Sequence, residues 1–180
     1  MQLFLIIFSA SVFLGFSWAH FFYFKKPAND FCFPARLISA FFTTNYACNL
    51  YFIYRGNIST WEFALSFLIY SLSVWLYFWA LSVAKGKELF LIYTGKPPRD
   101  IVKEGPYRYI GHPIYFSYIL FVLAGVFGSG NYYLTVTFLI TAAIFFKAAK
   151  SEESFLASSE LGSKYLKYRG QRRVFFRASN

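Results

Sequence analysis

Gly105-Pro106-Tyr107-Arg108-Tyr109-Ile110-Gly111-His112-Pro113-Ile114-Tyr115 sets one histidine, one arginine, two prolines and three tyrosines against the start of an apolar run, Ile114 to Phe127. On its N-terminal side lies the longest polar interval in the first three quarters of the chain. A cation and a histidine beside a stretch fit for hydrocarbon mark a membrane boundary, and ionisable groups persist there mainly where they have work to do. Pro113 suits the first turn of a helix, and Gly111 allows close backbone approach just before it. A transmembrane helix therefore starts at this stretch.

Composition agrees. Of 180 residues, 57% are hydrophobic and only 14% are charged, whereas soluble domains carry about a quarter charged residues. The formal charge of +10 would suit nucleic acid, but the cations sit between and after the apolar runs. That placement fits anionic headgroups and cytoplasmic loops instead. Cys32 and Cys48 have neither metal-site nor disulfide spacing and read as buried thiols. The expected partners are thus the bilayer and a lipophilic small molecule or lipid, with no nucleic acid and no metal.

Working outward, the run from Ile114 closes at the turn signal Gly128-Ser129-Gly130-Asn131, and Tyr132 to Phe146 follows as the other half of a tight helical hairpin. Upstream, the polar connection from Ala84 to Tyr109 contains an apolar patch, residues 89–93, too short to span. Before it come three more runs: Leu3 to Phe24, Leu37 to Tyr54 and Trp61 to Val83. The first lacks the basic leader and small-residue cleavage site of a signal peptide and reads as a membrane helix, with His20 at its interfacial end. The second carries Thr43, Thr44, Asn45, Cys48 and Asn49, a set expected to face other helices or a polar cavity. Trp61 and Trp79 suit the two aromatic belts of the third. Asn57-Ile58-Ser59 matches a glycosylation acceptor, but its loop is too short to leave the membrane surface.

These runs predict an all-α polytopic membrane protein of about five transmembrane helices with a cytoplasmic C-terminal catalytic region. It forms a single membrane domain, with a three-helix part over 1–83 and a motif-bearing, cofactor-binding part over 84–180. Helix is expected to continue past Lys147 to about Tyr168. With five spans, seventeen of the eighteen lysines and arginines fall on one side and Arg55 alone on the other. The positive-inside bias then puts the N-terminus outside and the C-terminus in the cytoplasm, in a bacterial inner membrane or the endoplasmic reticulum.

On that orientation, His112, Glu152-Glu153, the tyrosines and the C-terminal arginines share one membrane face. Two carboxylates near arginines and free helix-start N–H groups suit a ligand carrying both an ammonium and a carboxylate.

Gly105-Pro106-Tyr107-Arg108-Tyr109-x-x-His112-Pro113-x-Tyr115, then Glu152-Glu153-x-x-Leu156 and Leu161-Gly162-x-x-Tyr165-x-x-Tyr168, closely resembles the C-terminal signature of the isoprenylcysteine carboxyl methyltransferase family and the related phospholipid methyltransferases. The resemblance covers about residues 84 to 175. It implies an integral membrane methyltransferase using S-adenosylmethionine, with cofactor contacts from Tyr107, Arg108, His112, Pro113, Tyr115, Glu152, Glu153 and Tyr165. Glu153 and Arg173 are the implied catalytic residues, Arg173 steadying an anionic group of the acceptor. The family usually has arginine where this chain has Gly111, and proline where it has Phe176. The acceptor stays open among an isoprenylcysteine-like carboxylate, a phospholipid amine and a small hydrophobic molecule. Two alternatives accompany this reading: an NADPH-dependent membrane reductase of the sterol-reductase type, and a non-catalytic lipid-binding membrane protein with a degenerate site.

Overall fold

The computed structural model describes residues 1–23, 33–84 and 101–169, with side chains except at 33–37 and 167–169. Arg173, Phe176, Cys32 and the apolar patch at 89–93 lie outside the described residues. Six α-helices follow in order: α1 (Gln2–Tyr23), α2 (Phe33–Arg55), α3 (Thr60–Ala84), α4 (Pro113–Ser129), α5 (Leu134–Ser158) and α6 (Gly162–Arg169), with a 3-10 turn at Gly105–Arg108 before α4. No strand occurs among the described residues.

α1, α3 and α5 are each long and apolar enough to cross a membrane, and α4 is a shorter apolar helix. Their outward faces are apolar too: Leu3, Ile7, Leu14 and Phe22 on α1, Leu68 and Leu72 on α3, and Val136 and Leu139 on α5 are exposed. So much exposed apolar surface needs lipid around it. The chain is an all-α polytopic membrane protein.

Without a hydrophobic drive between helices in lipid, close backbone approach and interhelical hydrogen bonds must hold the bundle. The α3–α4 seam supplies both. Ser66 Oγ donates to the Ala124 carbonyl at 2.8 Å, and Ser73 Oγ to the Ser117 carbonyl at 2.7 Å. α1 adds aromatic packing, with Phe16 4.2 Å from Tyr77 and 5.5 Å from Phe121 between ring centroids.

The polar residues of α2 do not all turn inward as expected. Asn45 and Asn49 are buried, whereas Thr43, Thr44 and Cys48 are exposed. The helical period explains the split, because positions i and i+4 share a face and the three others lie around the cylinder. Asn49 Nδ2 bonds Asn45 Oδ1 at 2.8 Å and the Asn45 carbonyl at 3.0 Å. Cys48 is consequently not a buried thiol.

The hairpin forms where the turn signal placed it. α4 ends with Gly130 in the left-handed region, φ 60°, and Asn131 Oδ1 accepts from the Tyr133 N–H at 3.0 Å. The expected unbroken tail helix is in fact two helices. Ser159 is extended, its Oγ donating to the Leu156 carbonyl at 2.7 Å and accepting from the Leu161 N–H at 3.3 Å. Serine offers the backbone this local alternative to helix.

Candidate functional site

The stretch before α4 is pressed onto the end of α3. Gly105 has φ +55°, and a Cβ there would meet Val83 Cγ2 at 2.6 Å and Trp79 Nε1 at 3.2 Å. Only glycine fits such a position without strain. The 3-10 turn follows, with the Tyr109 and Ile110 N–H groups both donating to the Pro106 carbonyl at 3.0 and 2.9 Å. His112 is then the residue preceding helical Pro113, and its carbonyl accepts from the Phe116 N–H at 3.0 Å. The imidazole makes no capping bond, which leaves it to reach across to α5.

There it sits between two carboxylates. His112 Nδ1 lies 3.7 Å from Glu152 Oε2, and Nε2 lies 3.5 Å from Glu153 Oε1. The two glutamates differ in setting: the Glu152 side chain is 44% exposed and that of Glu153 only 7%. Tyr115 donates its hydroxyl to Glu152 Oε2 at 2.7 Å, while its ring stacks on His112 at 5.3 Å with an interplanar angle of 1°. Protonated, the imidazole would pair with both carboxylates; neutral, it leaves them as an acceptor pair for a cation.

Below this pair the site rests on an aromatic column. Phe145 stacks against Tyr115 at 5.6 Å and against Tyr118 at 5.4 Å. Tyr118 OH donates to Tyr77 OH at 3.3 Å, and Tyr77 OH to the Phe16 carbonyl at 3.4 Å. Helices α1, α3, α4 and α5 are thus joined under one side of the site.

The structure brings together His112, Tyr115, Glu152 and Glu153, with Pro113 buried at the helix start. Tyr107 is half-buried against the main core. Arg108 is exposed, its guanidinium carbon 6.0 Å from the Tyr109 ring centroid, and does not join the group. Tyr165 is buried in a separate cluster with Ile101 and Leu156, one turn along α5 from Glu153. Phe145, Tyr118 and Tyr77 were not singled out from the sequence. A signal existed for two of them: Phe145 precedes Glu152 by two helical turns and Tyr118 follows Tyr115 by one. Among the described residues, no cluster of His, Cys, Asp and Glu is arranged to hold a metal ion.

Residues 64–158, more than half of the chain, match the isoprenylcysteine carboxyl methyltransferase family. The chain belongs to this family. Comparison with curated proteins and with solved structures gave no match. Membership makes it a membrane methyltransferase by family, and the matched segment contains the whole His112, Tyr115, Glu152 and Glu153 group while ending before Tyr165 and Arg173.

Proposed function

We propose that the chain transfers a methyl group from S-adenosylmethionine to a lipophilic acceptor at the membrane–cytoplasm boundary. The observation that carries this reading is the imidazole of His112 held between Glu152 and Glu153, with Tyr115 fixed to Glu152. A cofactor bearing an ammonium and a sulfonium is cationic at two points, and a carboxylate pair at the bundle end suits it. The same pair would repel the phosphates of NADPH, which ranks a reductase lower. A degenerate, lipid-binding protein would have no need of this carboxylate pair.

Bound there, S-adenosylmethionine supplies a methyl group already activated for in-line displacement. The chain then has to bind, align and exclude water. Glu152, at the exposed edge, and Glu153, behind it, would hold the ammonium. The flat face of His112 and Tyr115 would position the remainder, and Phe145 closes the floor against water. Tyr107, Arg108, Pro113 and Tyr165 remain in the proposed lining, and Arg173 remains the proposed holder of an anionic acceptor group. A carboxylate acceptor needs no base. An amine or thiol must lose a proton, and Glu152 or Glu153 is the proposed base, with His112 next.

Five membrane passes, an external N-terminus and a cytoplasmic C-terminus complete the proposal, resting on the cation asymmetry. The test is thermal stability of the detergent-purified protein with S-adenosylmethionine, S-adenosylhomocysteine or NADPH. A ligand at a hundred times its Kd stabilises the fold by about 2.7 kcal/mol. Shifts with the two adenosyl compounds alone are expected. A shift with NADPH alone would replace the reading by the reductase, and no shift with any of them by the non-catalytic protein.

A further inference from the structure

The end of the bundle opposite His112 carries a second built feature. Gln2 Nε2 bonds the Gly56 carbonyl there, and a Cβ on Gly128 would meet Leu5 and Ser66, so the start of α1, the α2–α3 link and the α4–α5 turn converge. Between the last two lies a cleft of about 680 Å³, lined by Phe52, Arg55, Asn57, Asn131, Tyr132 and Tyr133 together with the intervening small residues. Its size falls within the range of small-molecule sites, about 300–1,000 Å³. Its walls are fixed against each other: a Cβ on Gly56 would stand 2.7 Å from the Phe52 carbonyl oxygen and 2.8 Å from that of Ser129.

The charge pattern says what the cleft suits. Arg55 lies at this end of the bundle, and the proposed five-span arrangement sets it apart from the other seventeen lysines and arginines of the chain. It is exposed, and no described carboxylate lies within salt-bridge range of it. The acid at this end, Glu62, is engaged instead with Ser59, accepting from its N–H at 2.8 Å and its Oγ at 2.6 Å. In the lining Tyr132 and Tyr133 are exposed, as are Tyr51 and Tyr54 in the last turns of α2 and Trp61 in the first turn of α3, and such a set of tyrosine and tryptophan marks headgroup depth. At that depth the abundant anion is phosphate, for which a guanidinium provides a matched fork of donors.

We infer that this cleft binds the phosphodiester headgroup of an anionic phospholipid in the leaflet opposite the candidate active site, with Arg55 on the phosphate and the Asn57, Asn131, Tyr132 and Tyr133 lining around the headgroup alcohol. The bound lipid would clamp the α4–α5 turn to the end of α2, independently of which cofactor occupies the His112 site.

The test is photolabelling in nanodiscs of phosphatidylglycerol carrying a headgroup diazirine, with peptides mapped by mass spectrometry. Labelling is expected on 51–57 and 129–133. Arg55→Gln should lower it at least fivefold there while leaving labelling at the opposite, lysine- and arginine-rich end unchanged, and Arg55→Lys should restore most of it. Unchanged labelling in Arg55→Gln, or equal labelling by a phosphatidylcholine probe, would overturn the inference. Loss of labelling to millimolar glycerol phosphate would assign the cleft to soluble phosphate esters and overturn the lipid assignment. Retention in its presence supports the lipid.

Discussion

Tyr115 donates to Glu152 Oε2 at 2.7 Å, a closer contact than either that His112 makes with the glutamates, and it ties the first turn of α4 to α5. The same ring lies between His112 and Phe145, so the hydroxyl and the ring can be separated by mutation. Tyr115→Phe keeps both stacks and deletes one charge-assisted bond, worth about 1.5–3 kcal/mol in general and about 1 kcal/mol beside a carboxylate this exposed. S-adenosylmethionine affinity should fall about fivefold by calorimetry, and the melting temperature of the ligand-free protein should drop only as far as the loss of about 1 kcal/mol carries it.

The two glutamates should not be equivalent. Glu153 has its side chain 7% exposed against 44% for Glu152, so its charge acts through less water. Glu153→Gln is expected to weaken cofactor binding more than tenfold, and Glu152→Gln only a few-fold. Equal losses in a titration of both variants would remove the distinction between a buried and an edge carboxylate.

Gly105 should tolerate no side chain. Alanine there meets a positive φ and Val83 Cγ2 at 2.6 Å, an overpacking cost of about 1–3 kcal/mol. The displaced stretch also carries His112. Gly105→Ala should therefore lower both the melting temperature and cofactor affinity, the melting temperature by more than Tyr115→Phe does.

Tyr77 offers the reverse control. Its hydroxyl bonds the Phe16 carbonyl and Tyr118 OH, both away from the glutamates. Tyr77→Phe should cost about 1 kcal/mol of stability, read as a lowered melting temperature, and leave the cofactor Kd unchanged.

The helices were legible because lipid imposes a plain rule, long apolar runs separated by polar breaks, and Pro113 and Gly130 punctuated α4 where such residues should. His112, Tyr115, Glu152 and Glu153, which the sequence motif singled out together, do meet in space. What escaped depends on azimuth and on local competition. No span boundary says which face of α2 turns inward, so Asn45 and Asn49 could not be parted from Thr43, Thr44 and Cys48 without the helical period. Ser159 broke the tail helix through its own side-chain bonds, a signal too weak to outweigh the helix formers around it.

α4 is shorter than its neighbours. Its 17 residues reach about 25 Å, against about 37 Å for the 25 residues of α3 or α5 at about 1.5 Å per residue. His112 therefore lies at the foot of a step, overlooked by the end of α3 on one side and by the last turns of α5, beyond Glu153, on the other. On the proposed function, an acceptor would meet the site at the end of this shorter helix, so that its polar head could react while its hydrocarbon tail stays beside the longer ones.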